Sequence, residues 1–128
     1  MSKKDKIKHR VRLNGVEEFY RNGLLHRDDG PARILPNGIE EWYKDGRKHR
    51  IDGPAWTRKK PVREEWYVNG LLHRLNGPAV IEHDRVFWYI NGQNHTKEVN
   101  KWLKARKYTW PLTAEQVVEF QLTVSLVA

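Results

Sequence analysis

The sequence predicts a mainly β protein, an antiparallel β-hairpin repeat array of about 23 residues per repeat with a small C-terminal helical cap. Two observations predict the array: every glycine follows Asn or Asp, and a long motif returns at nearly constant spacing. A helical spacing of apolar residues after position 96 predicts the cap. We therefore expect a basic tail or first strand at 1–12, repeats at 13–96 and the cap at 97–128.

The nine glycines all belong to Asn-Gly or Asp-Gly pairs. Both residues of such a pair tolerate positive φ, which tight hairpin turns require. We therefore expect a turn at each pair, with strands of only a few residues between them. In the unit that starts at Ala32, strands are expected at 32–35 and 39–43, a turn at 36–38 and a short extended stretch at 47–50.

The repeated motif reads Glu-Glu-aromatic-Tyr-x-Asn/Asp-Gly-x-x-His-Arg-x-Asp/Asn-Gly-Pro-Ala. Complete copies occupy 17–32, 40–55 and 64–79, and a degenerate fourth copy has Thr96 in place of Arg and lacks the Gly-Pro-Ala ending. The repeat histidines, His26, His49, His73 and His95, are spaced by 23, 24 and 22 residues. Such a period indicates stacked units, each too small to bury its own apolar face, and a degenerate last copy is typical of a capped array.

Alternation along each strand places two aromatic rows on opposite faces. We interpret the first row as core packing, because large rings fill a thin core efficiently. It consists of Phe19, Trp42, Trp66 and Trp88. The second row can also lie at the surface with its hydroxyl groups in water, and it consists of Tyr20, Tyr43, Tyr67 and Tyr89.

These features carry a resemblance to a known family. The period, the hairpin unit and the Tyr-x-Asn-Gly turn resemble the MORN-repeat family and its bacterial variants. The longer motif, Trp-Tyr-x-Asn-Gly-x-x-His-Arg-x-Asp-Gly-Pro-Ala, resembles repeat proteins of tailed phages over residues 16–96. The resemblance implies a binding scaffold and assigns no catalytic residue.

The first part of the tail reads as a helix. Thr96 can cap it, and Val99, Trp102 and Leu103 share one face of a helix over 97–107. Trp110-Pro111 breaks the chain after it.

A second short helix is expected from a capping box formed by Thr113 and Gln116. From Val118 onward apolar and polar residues alternate, which favours an extended end after the helix. We interpret 97–128 as a cap on an open sheet edge, with a docking surface for a partner or a second copy as the alternative.

The repeat histidines do not read as a catalytic or metal centre. Equivalent positions in successive repeats lie about 9–10 Å apart, at ~4.8 Å per strand, whereas ligands of one zinc ion lie ~2.1 Å from it. A residue that returns once per repeat also serves each repeat, so we expect each His to hydrogen-bond a neighbouring turn or a Glu carboxylate. No nucleophile motif or phosphate loop is present, so we predict no enzyme, cofactor or metal. A hydrolase or nuclease that uses a repeat His is the least favoured hypothesis.

The arginines of the His-Arg pairs, Arg27, Arg50 and Arg74, form a second repeated row. Beside the tyrosines, they could contact phosphates while the rings stack on bases. They could equally pair with recurring carboxylates such as Glu41 or Asp52.

The net charge of +8 is concentrated in three segments. Residues 1–12, the 58–63 loop and the 97–107 helix together carry +13, so the remainder of the chain carries −5. Nucleic-acid or nucleotide binding through these segments is the alternative function, and it requires them to meet on one face.

The leading hypothesis is a non-enzymatic binding protein that engages another protein. The resemblance to phage proteins further implies an accessory protein that acts on a host or defence factor. We expect a cytoplasmic protein, in the host cytoplasm if phage-encoded, with no membrane segment and an oligomeric state left open. The candidate binding residues are Tyr20, Arg27, Tyr43, Arg50, Tyr67, Arg74, Tyr89, Arg58, Lys59 and Lys60.

Overall fold

A computed structural model describes residues 5–124, which form short antiparallel strands followed by two helices. The strands are β1 (Lys8–Val11), β2 (Glu17–Arg21), β3 (Leu24–Leu25), β4 (Arg33–Ile34), β5 (Glu40–Glu41), β6 (Tyr43–Lys44), β7 (Arg47–Lys48), β8 (Trp56–Lys59), β9 (Val62–Glu65), β10 (Tyr67–Val68), β11 (Leu71–Leu72), β12 (Val80–Glu82), β13 (Arg85–Phe87), β14 (Tyr89–Ile90) and β15 (Gln93–Asn94). The helices are α1 (Thr96–Arg106) and α2 (Ala114–Thr123). The predicted β-hairpin array with a helical cap is confirmed.

A nine-stranded antiparallel sheet forms the backbone of the array, in the order β1-β2-β4-β5-β8-β9-β12-β13 with β3 paired to β2. Each repeat adds one hairpin to this sheet. The predicted first strand corresponds to β1, which pairs Lys8 with Tyr20 and Val11 with Glu17. The rest of the predicted N-terminal tail, residues 1–4, lies outside the described residues.

A second row of hairpins runs beside the sheet and is joined through the backbone. In β6–β7, β10–β11 and β14–β15, the turn glycine donates its N–H to a carbonyl of the hairpin before it. Gly46 donates to Leu25 at 2.9 Å, and Gly70 donates to Lys48 at 2.8 Å. Gly92 repeats the contact on Leu72. These bonds fix the spacing of successive repeats.

The predicted strand at 39–43 is interrupted at Trp42. The cause is a β-bulge: the Ala32 N–H bonds to the Glu41 carbonyl, although Glu41 already pairs with Arg33. The bulge changes the direction of the chain at this point. Residues before Trp42 therefore belong to the large sheet, and residues after it belong to the second row of hairpins. Ala55 and Glu65 repeat this arrangement in the next unit.

Six of the nine predicted glycine turns have the expected positive φ, but three do not. The exceptions, Gly30, Gly53 and Gly77, all stand before proline in the Gly-Pro-Ala corner. A Cβ at Gly53 would lie 2.6 Å from the guanidinium carbon of Arg50. The corresponding distances are 2.6 Å from Gly77 to Arg74 and 2.9 Å from Gly30 to Arg27. Glycine is needed there because an arginine packs against the backbone.

Helix α1 begins one residue earlier than predicted. Its N-cap is His95, not Thr96, because the Thr96 hydroxyl accepts a hydrogen bond from the Trp88 N–H at 3.0 Å instead of capping the helix. The helix ends before the Trp110-Pro111 break, with Lys107 in the left-handed conformation.

Helix α2 has the predicted capping box, with both reciprocal bonds between Thr113 and Gln116 present. The stretch from Val118, where the sequence pattern was ambiguous, is helical as far as Thr123 and buries Phe120, so its strand-like alternation does not mark an extended segment there. The last part of that prediction, 125–128, falls outside the described residues.

The largest apolar core lies between these helices and the fourth repeat. Trp88 and Ile90 of the repeat pack with residues of both helices and of the link between them. The other members are Val99 and Trp102 of α1, Leu112 of the link, Phe120 of α2 and Val124 directly after it. A bond from the Leu112 N–H to the Asn76 carbonyl ties the link to the third repeat. The tail therefore packs as a cap on the end of the array.

Candidate functional site: a groove along the arginine stacks

Each complete repeat lays its arginine flat over its own aromatic ring. The guanidinium carbon lies 3.9 Å from the ring centroid for Arg27 on Phe19 and for Arg50 on Trp42. The third pair, Arg74 on Trp66, is at 3.7 Å. At these distances the cation is attracted to the ring face. The repeat thus builds three equivalent stacks along one side of the array.

Backbone and side-chain contacts hold each guanidinium in place. In the second repeat, Arg50 Nη1 donates to the Pro54 carbonyl at 3.2 Å, and its Nε lies 3.4 Å from Asp52. Arg74 makes the corresponding bonds to Pro78 and Asn76. Pairing with Asp52, one of the two sequence alternatives, is therefore observed, whereas Glu41 pairs with Arg33 and Lys48. Neither of these contacts uses the Nη2 donors of the guanidinium.

The first aromatic row is a buried core only at its last member. Trp88 is fully buried, while Phe19, Trp42 and Trp66 are half-buried beneath their arginines. Thr96 replaces the arginine in the fourth repeat, and Phe120 of α2 packs edge-on against Trp88, with ring centroids 5.8 Å apart. In the fourth repeat a ring of the cap, and not an arginine, thus contacts the aromatic residue of the repeat.

The repeat histidines connect neighbouring repeats, as predicted. His26 Nδ1 accepts the Asp45 N–H at 3.0 Å, and His49 accepts the Asn69 N–H at the same distance. His73 accepts the Asn91 N–H at 2.9 Å. His95, which has no repeat after it, lies 2.8 Å from the Glu98 carboxylate.

Because Nδ1 accepts a hydrogen bond in these contacts, it carries no proton of its own there. Burial lowers the pKa of His49 and of His73, and nearby Lys44 adds to the effect at His49. Between residues 5 and 124, no group of three or more His, Asp or Glu could hold a metal ion. His26, His49 and His73 thus each accept a hydrogen bond from the turn of the following repeat.

The tyrosine row lies beside a row of ion pairs on the sheet. Glu18 is almost fully buried between Arg12 and Arg33, and Arg33 also reaches Glu41 at 3.1 Å. Burial opposes the ionisation of Glu18, but the hydrogen bonds and charges of its neighbours outweigh it, so its pKa is lowered. This row of charged residues was not foreseen, although the paired glutamates of each repeat were its signal.

Two tyrosines of this row have perturbed pKa values. The Tyr67 hydroxyl donates to Glu65 at 2.8 Å, and burial together with this bond raises the pKa of Tyr67. Burial also raises the pKa of Tyr43. Tyr20 and Tyr89 are partly buried. Among the four predicted tyrosines, Tyr43 borders the groove described next.

Three neighbouring cavities lie along the arginine stacks, and we call them together the stack groove. Their volumes are about 440, 350 and 410 Å³, taken from the first repeat to the third. Arg27 and Asp28 line both the first and the second cavity. Arg50 and Ile51 line both the second and the third. All three predicted arginines therefore border one surface.

The lining of the stack groove changes along its length. The residue after each His-Arg pair is Asp28 in the first repeat, Ile51 in the second and Leu75 in the third. The first cavity also contains Asp29, whereas the third contains Val68 and is bounded by Val117 of α2. The groove is thus acidic at one end and apolar at the other. Its variable position was missed because it is the least regular residue of the motif.

The other predicted binding residues lie elsewhere. Arg58 and Lys59 end β8, and Lys60 follows at the hairpin tip. Arg58 donates to the Pro61 carbonyl at 2.9 Å and lies 5.7 Å from the Trp56 ring. These residues contribute nothing to the lining of the stack groove.

The three basic segments occupy three different parts of the array. Strand β1 is separated from β8 by four strand positions, about 19 Å at ~4.8 Å each. Helix α1 packs on the fourth repeat, at the far end. The nucleic-acid alternative requires the three basic segments to lie together in one patch. The sheet order instead places them apart along the array.

Comparison with known proteins gives no match to a family model, a curated protein or a solved structure. Neither helix of the described chain is long and apolar enough to cross a membrane. The stack groove therefore has to be interpreted from its own chemistry.

Proposed function

We propose that the protein is a non-enzymatic binding protein that holds an extended segment of another protein in the stack groove. The observation that carries this proposal is the change of lining from Asp28 and Asp29 to Ile51 and Leu75. A polypeptide can present basic side chains to one end of such a groove and apolar side chains to the other.

The groove is organised before any ligand arrives. Each guanidinium is held by its ring, its Asx neighbour and a proline carbonyl, so little side-chain entropy remains to be lost on binding. Arginine and tryptophan are also the residue types that are enriched at binding hot spots. The Nη2 donors are suited to the backbone carbonyls or carboxylates of an extended chain.

The same lining argues against a nucleic-acid ligand in this groove. Asp28, Asp29 and Asp52 are 75%, 88% and 89% exposed, so a phosphodiester backbone would meet carboxylates beside Arg27 and Arg50. Aliphatic Ile51, which is 72% exposed, offers nothing to phosphate. The resemblance to phage repeat proteins adds the proposal that the partner is a host or defence protein.

The proposal is tested by affinity capture from a nuclease-treated lysate with three forms of the chain. These are the unchanged chain, the groove variant Ile51→Asp and the control variant Val62→Asp. Val62 is also exposed, at 52%, but lies on β9 outside the groove. We expect one protein at defined stoichiometry on the unchanged chain and on Val62→Asp, reduced about tenfold on Ile51→Asp.

Two results would contradict the proposal. One is capture that is equal for Ile51→Asp and Val62→Asp, which would place binding elsewhere. The other is recovery of nucleic acid alone from an untreated lysate, with an affinity that falls steeply with salt.

A further inference from the structure

The first strand leaves one edge of the large sheet open. All four residues of β1 are exposed, and β1 pairs only with β2 among the described residues. At the opposite end of the array, α1 and α2 pack on Trp88 and Ile90 of the fourth repeat. An open edge presents unpaired N–H and C=O groups to which another strand can be added.

The hydrogen-bond pattern identifies which groups are free. The Arg12 N–H bonds to the Val16 carbonyl, which places Arg12 in the bonded class of β1–β2 pairs. Bonded and non-bonded pairs alternate in an antiparallel ladder. Lys8 and Arg10 therefore bond towards β2, whereas the N–H and C=O groups of His9 and Val11 point away from the sheet.

The side chains of this edge are basic. Lys8 and Arg10 project from one face of β1, and neither has a carboxylate partner in the part of the chain that the structure describes. On the other face, His9 is 2.7 Å from Glu17 and stacks on Phe19. Across an added strand, side chains directly opposite each other lie about 4.5–5.5 Å apart, so charge decides which strand fits.

A second copy of the chain is a poor occupant. Pairing of β1 with another β1 would bring Lys8 and Arg10 against like charges. Pairing with β13 would bring them against Arg85, and β13 has no carboxylate to offer. An acidic strand satisfies both the free backbone groups and the unpaired cations.

We infer that the β1 edge is a second binding site, separate from the stack groove, which takes an extended acidic segment of a partner protein as an added strand. Free backbone groups of His9 and Val11 provide the pairing. Lys8 and Arg10 select glutamate or aspartate at alternate positions of the added strand. This inference does not depend on the proposed function of the groove.

The test uses an acetylated and amidated peptide of alternating Glu and Val, about six residues long, and a matched peptide with Lys in place of Glu. Binding is followed by fluorescence anisotropy for the unchanged chain, Val11→Pro and Val11→Ala. Proline removes the outward N–H without removing a bond to β2, whereas alanine keeps it. We expect Val11→Pro to weaken binding of the Glu peptide at least about tenfold, Val11→Ala to leave it unchanged, and the Lys peptide not to bind.

Amide hydrogen exchange on the unchanged chain tests the same pairing without a substitution, so misfolding of a variant cannot affect the result. The Glu peptide should slow exchange at His9 and Val11 while leaving Lys8 and Arg10, which are already bonded, as they were. Binding without this alternating protection would overturn the inference, as would equal binding of the two peptides. Preferential binding of a single-stranded oligonucleotide, with His9 and Val11 still exchanging freely, would also overturn it.

Discussion

The arginine of each repeat is the residue on which both the packing and the candidate site depend. In the second repeat, Arg50 lies between the Trp42 ring on one side and the Gly53 backbone on the other. The ring attracts the cation, the glycine leaves room for it, and the Pro54 carbonyl orients it. The packing of this arginine thus explains three other residue types of the motif: the aromatic residue, the glycine and the proline.

This dependence predicts that Gly53→Ala acts through Arg50. The added Cβ would displace the guanidinium from Trp42, so we expect a loss of about 1 kcal/mol of unfolding free energy, measured by urea titration. In an Arg50→Ala background the same change should have almost no effect, because the space is already empty. An equal loss of unfolding free energy in both backgrounds would contradict the packing of Arg50 between Trp42 and Gly53.

The histidine contacts predict a stability that depends on pH. His49 and His73 have lowered pKa values in the folded chain, while their unfolded values lie near 6.5. The unfolded chain therefore takes up protons first, so the contribution of these residues is complete above about pH 6.5 and is lost as the pH falls below it. We expect the melting temperature to drop by several degrees between about pH 7.5 and 5.5.

The control for this prediction is a chain with His49→Asn and His73→Asn, which removes both titrating groups. Its melting temperature should fall less over the same interval, which lies above the range in which Glu18 and Asp45 titrate. An unchanged slope would contradict the assignment of this pH dependence to His49 and His73.

Among the elements, helix α2 has the largest structural role. It supplies Phe120, which packs edge-on against Trp88 in the fourth repeat, where Thr96 stands in place of the arginine. Its N-terminus is fixed by the Thr113–Gln116 capping box, and Val117 of the same helix bounds the last cavity of the stack groove. The cap thus closes the array and ends the groove.

Replacing Phe120 by alanine should lower the unfolding free energy more than replacing Val118, a neighbour on the same helix. Phe120→Ala removes a fully buried ring, so we expect a loss of about 3–5 kcal/mol of unfolding free energy. Val118→Ala, on the outer face of the same helix and 56% exposed, should change it by less than about 0.5 kcal/mol. Similar losses for the two variants, measured by denaturant titration, would contradict the proposed contribution of Phe120 to the cap.

The elements also show how far the sequence could predict the fold. Turn pairs, the motif period and the capping box were sufficient for the hairpins, their stacking and α2. The break at Trp42 was not predictable, because it arises from a bulge at Ala32 and Arg33 of the neighbouring chain segment, which both face Glu41. The pair Asp52-Gly53 was predicted to form a turn like the other pairs. Its glycine is needed for a different reason, because Arg50 packs against it.

At the scale of the whole molecule, repetition creates the candidate site. No single repeat contains the stack groove, because Arg27 and Arg50 each line two successive cavities. The arginines could be proposed from sequence, since they recur. The gradient from Asp28 to Leu75 could not, because it lies in the position that the motif leaves variable. The net charge of +8 belongs to segments spread along the array and does not define the groove.

The most direct test of the central claim is chemical-shift mapping of the isotope-labelled chain with the protein recovered by capture. Indole and arginine Nε–H signals report on the stacks, and methyl signals of Ile51 and Leu75 report on the apolar end of the groove. The account predicts shifts at Trp42, Trp66, Ile51 and Leu75. Shifts confined to the basic segments, with these signals unmoved, would contradict it.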